Sequence, residues 1–359
     1  MAANNSHTAP LNPPTSPTPP TRVAIDPDGD LSLIVGKIPE LKIAGMQDQI
    51  VTFVVCSRSL SRASAFWKTL LYGKFAESKR PESSKAEEWR VELPGDQPEP
   101  MKMLLRIIHS QFEHIPTAAD PIGLRTLYQL TVLTDKYDLT RFLRPWARNW
   151  MNSMPLHITP PACLADFMDL RYQAWIAWEL GDEDMLVEAA KILVAHCNYN
   201  PKLGVLGPFC FGIHEPPGLL SLVTKTRLKA IDMMLTPFKN AISKLIEGTT
   251  PVCSNRSLSR DQLNCHQDCD ITMLGVTIQS LSRHKLWPIP KPEDVQTTVS
   301  ELAITLKKVD TKSRLHSHSC RAVPSVAEAA DIVNRAFPEI EEAQIRHLDS
   351  QAKKSGLSS

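Results

Sequence analysis

Residues 50–60 read IVTFVVCSRSL and change from a strand pattern to a helix pattern within one short segment. Val51, Phe53 and Val55 share one face, because side chains along a β-strand point to opposite sides in turn. The hydroxyls that follow can accept hydrogen bonds from the first amides of a helix; they belong to Ser57, Ser59, Ser61 and Ser64. The segment therefore predicts a β-strand that leads directly into an α-helix.

A second apolar run lies upstream of this segment. Asp-Gly-Asp at residues 28–30 is a turn signal, and residues 31–35 (LSLIV) form the run that follows it. Residues 36–49 contain glycine and proline and separate the two runs. We expect two strands that pair with each other and are joined by an enlarged connection.

The residues downstream alternate between helical and extended patterns. Apolar residues between Leu60 and Leu71 recur at helical spacing and predict one or two short helices. Residues 77–88 are polar and predict a surface loop, whereas residues 89–93 (WRVEL) alternate like a third strand. Asp96 is expected to cap the first of the further helices that follow. The predicted order is two strands, a helix pair, a strand and then helices.

This order over residues 28–152 resembles that of a BTB/POZ domain, and individual segments agree with it. Residues 28–35 (DGDLSLIV) resemble the opening strand of that family, and residues 53–60 (FVVCSRSL) resemble its F-x-V-x-S-x-x-L segment. Asp135-Lys136-Tyr137 resembles the family's A-D-K-Y motif. The resemblance implies an α+β fold, in which a BTB/POZ domain (a small β-sheet flanked by helices) is followed by a mainly α-helical C-terminal region.

The resemblance to the BTB proteins of filamentous fungi is narrower, because it continues into the second half of the chain. The segments that recur there are residues 143–147 (LRPWA), 175–183 (WIAWELGDE) and 286–288 (LWP). Two features depart from the family. Cys56 stands where animal BTB domains usually carry a histidine, and the connection at residues 36–49 is long. Neither departure changes the expected fold.

A BTB/POZ domain acts by surface complementarity, so the resemblance implies a non-enzymatic protein–protein interaction module that associates with itself, as a dimer, or with other proteins. Some members of the family seat the cullin scaffold of a ubiquitin ligase through a hydrophobic-x-Glu motif, and Phe75-Ala76-Glu77 has that form. Phe75 and Glu77 are therefore the candidate partner-binding residues of a cullin-RING substrate adaptor. In the alternative, Phe75 packs on its own helix and Glu77 is solvated.

The second half of the chain predicts a helical region over residues 160–345. Gly181 is expected to end one helix and Asp182 to cap the next, which gives an antiparallel helical hairpin. Residues 218–246 carry apolar side chains at helical spacing and predict a long third helix.

Both ends of the chain are predicted to be disordered. Residues 1–27 are rich in proline and polar side chains, which cannot offset the entropy that ordering would cost, and residues 346–359 are expected to form a tail. The leader is either a plain solvated segment or a docking segment that uses residues 17–20 (PTPP) in a groove for polyproline helices.

Soft metal ligands cluster in the C-terminal part of the sequence. Four such side chains can close a tetrahedral zinc site that joins loop segments, which makes a zinc-stabilised structural scaffold a third hypothesis for the function. The spacing lacks a zinc-finger signature, so separate thiols and solvated histidines remain the alternative, and no metal ligand is assigned. The candidates are Cys253, Cys265, Cys269, His318 and Cys320.

Composition narrows the function classes further. The 40 basic and 39 acidic residues give a net charge of +1, without a basic stripe that would predict a nucleic-acid partner. The longest apolar runs are far shorter than the ~20 residues of a membrane helix. The eight cysteines form no dense disulfide pattern, and catalytic motifs such as a phosphate-binding loop are absent. We expect an intracellular protein of the cytoplasm or nucleus that is not an enzyme, binds no cofactor and contacts no membrane.

Overall fold

The computed structural model describes most of the chain, as a mixed α and β structure that is mostly helical. Contacts divide the chain into two compact units: Met1–Ile115 with Lys136–Leu139, and Pro116–Asp135 with Thr140–Ser359. Only the backbone is described for residues 200, 205–207 and 263–265. The described residues are 21–36, 50–78, 88–117, 119–154, 161, 163–200, 205–207, 213–253, 263–315, 320–323, 325–337 and 340–358.

The first unit contains a four-stranded sheet. Its strands are β1 (Thr21–Ala24), β2 (Leu31–Val35), β3 (Val51–Val55) and β4 (Arg90–Leu93), in the spatial order β1-β3-β2-β4. β2 and β3 are antiparallel, whereas β1 is parallel to β3 and β4 is parallel to β2. The register aligns Leu33 with both Phe53 and Val91, and all three side chains are buried. This row of apolar side chains belongs to the core of the unit.

Among its described residues the first unit has three α-helices: α1 (Ser57–Ala63), α2 (Ala65–Tyr72) and α3 (Pro98–Ile108). Ser64 separates α1 from α2, and its Oγ accepts hydrogen bonds from the amides of Phe66 at 3.0 Å and Trp67 at 3.4 Å. The same hydroxyl donates to the carbonyl of Tyr137 at 2.6 Å. One of the predicted serine caps is therefore present, at Ser64.

The predicted pair of strands, helix pair and third strand are confirmed in the first unit, but the prediction for the leader is partly wrong. The sequence predicts a disordered leader over residues 1–27, yet residues 21–24 form β1. The backbone of β1 pairs with β3, and Ile25 is only 2% exposed, so this part of the segment gains both hydrogen bonds and apolar burial. Residues 1–20, 37–49 and 79–87, with the PTPP segment and the enlarged connection, lie outside the described residues.

The second unit is mainly helical, and the helix α4 (Leu124–Tyr137) belongs to it up to Asp135. Its described part also contains two short antiparallel strand pairs, β5 (Asn198–Asn200) with β6 (Val205–Gly207) and β7 (Lys312–Ser313) with β8 (Cys320–Arg321). The helices are α4 (Leu124–Tyr137), α5 (Ala147–Ser153), α6 (Leu164–Leu180), α7 (Glu183–His196), α8 (Leu219–Glu247), α9 (Leu263–Arg283), α10 (Val299–Lys307), α11 (Ala329–Ala336) and α12 (Glu342–Ser355).

The connection between α6 and α7 is the one that the sequence predicts. Gly181 ends α6 in the left-handed conformation, with φ of 83°. The Asp182 carboxylate caps α7 by accepting a hydrogen bond from the amide of Met185 at 2.9 Å. Ten of the eleven residues 170–180 are buried, so this half of α6 lies inside the unit.

The prediction of a disordered tail over residues 346–359 is wrong, because most of these residues belong to α12. Leu348 and Ala352 are buried, and the Ser355 hydroxyl donates to the carbonyl of Leu180 at 2.6 Å. The segment is polar in composition, but its small side chains let the helix pack closely on the end of α6. None of the described helices has the length and apolar character that crossing a membrane requires.

Candidate partner-binding surface and cysteine cluster

The predicted partner-binding residues lie in a turn that follows α2. Phe75 and Ser78 close this turn, since the amide of Ser78 donates to the carbonyl of Phe75 at 3.1 Å. The Ser78 hydroxyl also donates to the carbonyl of Leu70 at 3.0 Å, and the Trp89 indole donates to the carbonyl of Glu77 at 2.8 Å. The backbone of the motif is thus held at several points. Its two side chains are nevertheless exposed, and Phe75 is 56% exposed.

Two further aromatic rings on α2 are only partly covered. Phe66 is 42% exposed and Tyr72 is 41% exposed. Phe66 touches the Tyr137 ring edge-on, with centroids 5.2 Å apart, and the Tyr72 hydroxyl is hydrogen-bonded to Ser57 Oγ at 2.6 Å. Phe66, Tyr72 and Phe75 lie within ten residues of one another in sequence, and we call these three partly exposed rings the aromatic surface of the first unit. Partly exposed rings that are held in place are typical of side chains that protein interfaces bury.

The Asp-Lys-Tyr motif has a structural role in the first unit. Asp96 is buried and accepts hydrogen bonds from the Tyr137 hydroxyl and from Lys136 Nζ, the latter at 2.6 Å. Tyr137 is fully buried, and its ring is stacked on Trp67 with centroids 4.7 Å apart. Burial, together with the nearby Asp96 carboxylate, raises the pKa of Tyr137, so the phenol stays a proton donor.

The sequence predicts that Asp96 caps α3, but in the structure Asp96 does not cap this helix. The N-cap residue of α3 is Gln97, whose side chain makes no capping hydrogen bond. The carboxylate of Asp96 is directed instead to the end of α4, where it joins two residues that lie about forty positions later in the chain. The capping pattern considers only neighbouring residues, so it predicts a cap at Asp96 and cannot take account of Lys136 and Tyr137.

We expect Tyr137→Phe to lower the free energy of unfolding of the protein by about 1–2 kcal/mol, because Asp96 loses one of two hydrogen-bond donors while buried. Urea denaturation followed by fluorescence measures the effect. Tyr72→Phe is the control, since it also removes a hydroxyl but from a ring that is 41% exposed. Equal losses in the two variants would contradict the role given to Asp96.

Three of the predicted metal ligands come together in the second unit. Cys253 follows α8, Cys269 lies on α9 and Cys320 begins β8. All three side chains are buried, their sulfur atoms lie within 4.8 Å of one another, and the Sγ atoms of Cys253 and Cys320 are 3.7 Å apart. Leu245 and Met273 complete the buried cluster around them. The other two candidates are not placed, because His318 and the side chain of Cys265 lie outside the described residues.

The backbone around the cysteine cluster is fixed by Asp270. Its two carboxylate oxygens accept hydrogen bonds from the amides of Val252 at 3.0 Å and Cys253 at 2.9 Å. Burial raises the pKa of the Cys269 thiol to about 12, while a hydrogen bond with Ser313 opposes the shift. The cysteine cluster can therefore present three sulfur atoms from positions that the chain itself holds together.

Sequence reasoning missed a buried carboxyl group in the second unit. Glu179 is fully buried near the end of α6 and accepts hydrogen bonds from the Thr140 hydroxyl and from Gln351 Nε2, the latter at 2.8 Å. Burial raises the pKa of Glu179 to about 8, against the effect of these hydrogen bonds. The available signal was one acidic residue in an otherwise apolar stretch, residues 174–180 (AWIAWEL).

Neither a family model nor a curated protein matches this chain. The resemblance to BTB/POZ domains consequently rests on the sequence itself, chiefly on residues 28–35, 53–60 and 135–137.

Proposed function

We propose that this chain is a non-enzymatic protein–protein interaction module and that its first unit acts as a BTB/POZ-like domain. The exposure of Phe75 is the observation that carries the proposal: the ring is 56% exposed although hydrogen bonds hold the turn beneath it. Single exposed apolar residues are common on proteins. Here, however, Phe66 and Tyr72 precede Phe75 within one short segment and are also partly exposed. A partner that covers these rings would remove apolar surface from water.

The same observation favours a cullin-binding role over the alternative in which Phe75 packs on its own helix. A ring so exposed is available as an apolar anchor, and Glu77, two residues on, is exposed as well. Such a pair can fill a hydrophobic pocket and orient the partner through one charge. The protein would then serve as a substrate adaptor of a cullin-RING ubiquitin ligase, in which it positions a target and supplies no bond chemistry.

The first test is affinity purification of the tagged full-length protein from its own cells, with the double variant Phe75→Ala, Glu77→Ala beside it. We expect recovery of the partner to fall about tenfold or more in the variant, because loss of an interface anchor costs about 2 kcal/mol or more. Mass spectrometry identifies the recovered proteins. A cullin recovered with the wild type and lost with the variant supports the adaptor role.

Phe112→Ala is the matched control, because Phe112 is also an exposed phenylalanine of the first unit, at 51%. It lies in a 3-10 turn (Phe112–His114) and not on the aromatic surface. This control is expected to retain every partner. Equal recovery from wild type, double variant and control would contradict a role for Phe75 and Glu77, and light scattering of the purified protein then tests self-association separately.

A further inference from the structure

The sulfur positions in the cysteine cluster match those of a metal–thiolate site. Zinc binds thiolate sulfur at about 2.3 Å with tetrahedral angles, which places two bound sulfurs about 3.8 Å apart. The Sγ atoms of Cys253 and Cys320 are 3.7 Å apart, and Cys269 completes a set within 4.8 Å. A disulfide needs a separation of about 2.05 Å, so this pair is two thiols. The distances therefore fit ligands around a shared ion.

Ordinary burial of cysteine does not account for this arrangement. Cysteine is often buried as a small apolar side chain, and one such residue needs no further explanation. Here three cysteines come from three separate segments, one after α8, one on α9 and one on β8, and their sulfur atoms meet. An all-sulfur set of donors is soft, and among common divalent ions it favours zinc.

The surroundings of the cluster supply what such a site needs. Asp270 fixes the segment that carries Cys253 through hydrogen bonds to two successive amides, a form of outer support typical of metal sites. His266 lies one turn before Cys269 on α9, and its Nδ1 is buried without a hydrogen-bond partner among the described residues. The same face of α9 thus carries both a thiol and an unpaired nitrogen.

We propose that Cys253, Cys269 and Cys320 bind one zinc ion in a structural site of the second unit. The three thiols release their protons on binding, and the fourth position of the tetrahedron takes water or one further protein donor. The described strands β7 and β8 have two residues each, too few to form a stable hairpin alone. The ion would join this hairpin to α9 and to the segment after α8. No residue of the site belongs to the aromatic surface, so the inference is independent of the proposed function.

The test begins with the zinc content of the full-length protein, purified without chelator and measured by inductively coupled plasma mass spectrometry. We expect one zinc per chain in the wild type and a loss of zinc in Cys269→Ser. Cys197→Ser is the matched control, because Cys197 is equally buried but lies at the end of α7, outside the cluster. This control should retain one zinc per chain. Retention of zinc by Cys269→Ser would overturn the proposal.

A second measurement needs no substitution and so does not depend on a variant that folds. The wild type is stripped of metal, reduced and reconstituted with cobalt, whose charge-transfer absorption reports directly on thiolate ligands. We expect the bands of a tetrahedral site with sulfur ligands, which added zinc then abolishes. A reduced, folded wild type that binds neither cobalt nor zinc would overturn the proposal. So would a disulfide between Cys253 and Cys320 in zinc-free protein isolated under non-reducing conditions.

Discussion

Gly181→Ala is expected to destabilise the second unit by about 3–4 kcal/mol, because overpacking of an interior costs about 1–3 kcal/mol and a left-handed backbone conformation adds about 1 kcal/mol for alanine. Gly181 has φ of 83°, and a β-carbon there would lie 2.2 Å from the amide nitrogen of Ala352 and 2.4 Å from the carbonyl oxygen of Leu348. These contacts are with backbone atoms of α12, which no change of rotamer can relieve. The helix must therefore move away from the end of α6, and its buried contacts are weakened.

Gly248→Ala is the control that separates two costs of Gly181→Ala: the steric conflict with α12 and the strain of alanine in a left-handed backbone conformation. Gly248 ends α8 with φ of 61°, but a β-carbon there would meet nothing within 4 Å. This control should cost only about 1 kcal/mol, the usual penalty for alanine in a glycine conformation. Urea denaturation of both variants, followed by circular dichroism, measures the difference. If the two losses were the same, the packing of α12 against Gly181 would not contribute to stability.

The second large effect is a dependence of stability on pH that arises from Glu179. Its pKa is about 8 in the folded protein and 4.5 in the absence of such burial, so the folded state holds a proton that the unfolded chain has released. Protonated Glu179 therefore contributes its full stabilisation of the folded state below about pH 4.5, and this stabilisation is lost as pH rises toward 8. Each pKa unit corresponds to about 1.4 kcal/mol, which sets an upper limit of about 5 kcal/mol on the loss.

We expect Glu179→Gln to remove this dependence, because the amide has the shape of the protonated carboxyl group and does not titrate. The variant should be more stable than the wild type by a few kcal/mol above pH 8 and similar to it near pH 5. Gln351 Oε1 is buried and has no hydrogen-bond partner in the described part of the chain, so it can accept a hydrogen bond from the new amide after a flip of the Gln351 side chain.

Glu247→Gln is the control for this titration, since Glu247 is exposed at the end of α8. It should shift the urea midpoint little, because the Glu247 side chain is exposed. If wild type and Glu179→Gln gave parallel curves between pH 5 and 9, Glu179 would not be the group responsible.

The parts of the fold that could be predicted from sequence are those set by neighbouring residues. Alternation identified β2, β3 and β4, and the pair Gly181 and Asp182 identified the connection between α6 and α7. Each signal acts over one turn of helix or one strand. Elements of this kind can be predicted from the local sequence alone.

The errors occurred where distant residues determine the outcome. The sequence predicts a disordered tail over residues 346–359, but Leu180 and Glu179 accept hydrogen bonds from α12, and Gly181 leaves room for the backbone of α12. In the same way, β1 is ordered by pairing with β3, and the composition of residues 1–27 does not predict this pairing. For the cysteines, sequence could propose a cluster but could not select its members, because spacing along the chain says little about distances between loops.

The discontinuity of the first unit affects how its gene could recombine. The first unit consists of Met1–Ile115 and Lys136–Leu139, and the residues between these two segments, Pro116–Asp135, belong to the second unit. A fragment that ended at Ile115 would leave Trp67 without the ring stacked on it and Asp96 without either hydrogen-bond donor. Exchange between genes that preserves this unit must therefore carry the coding sequence through Leu139, and with it the whole of α4, as a single inherited block.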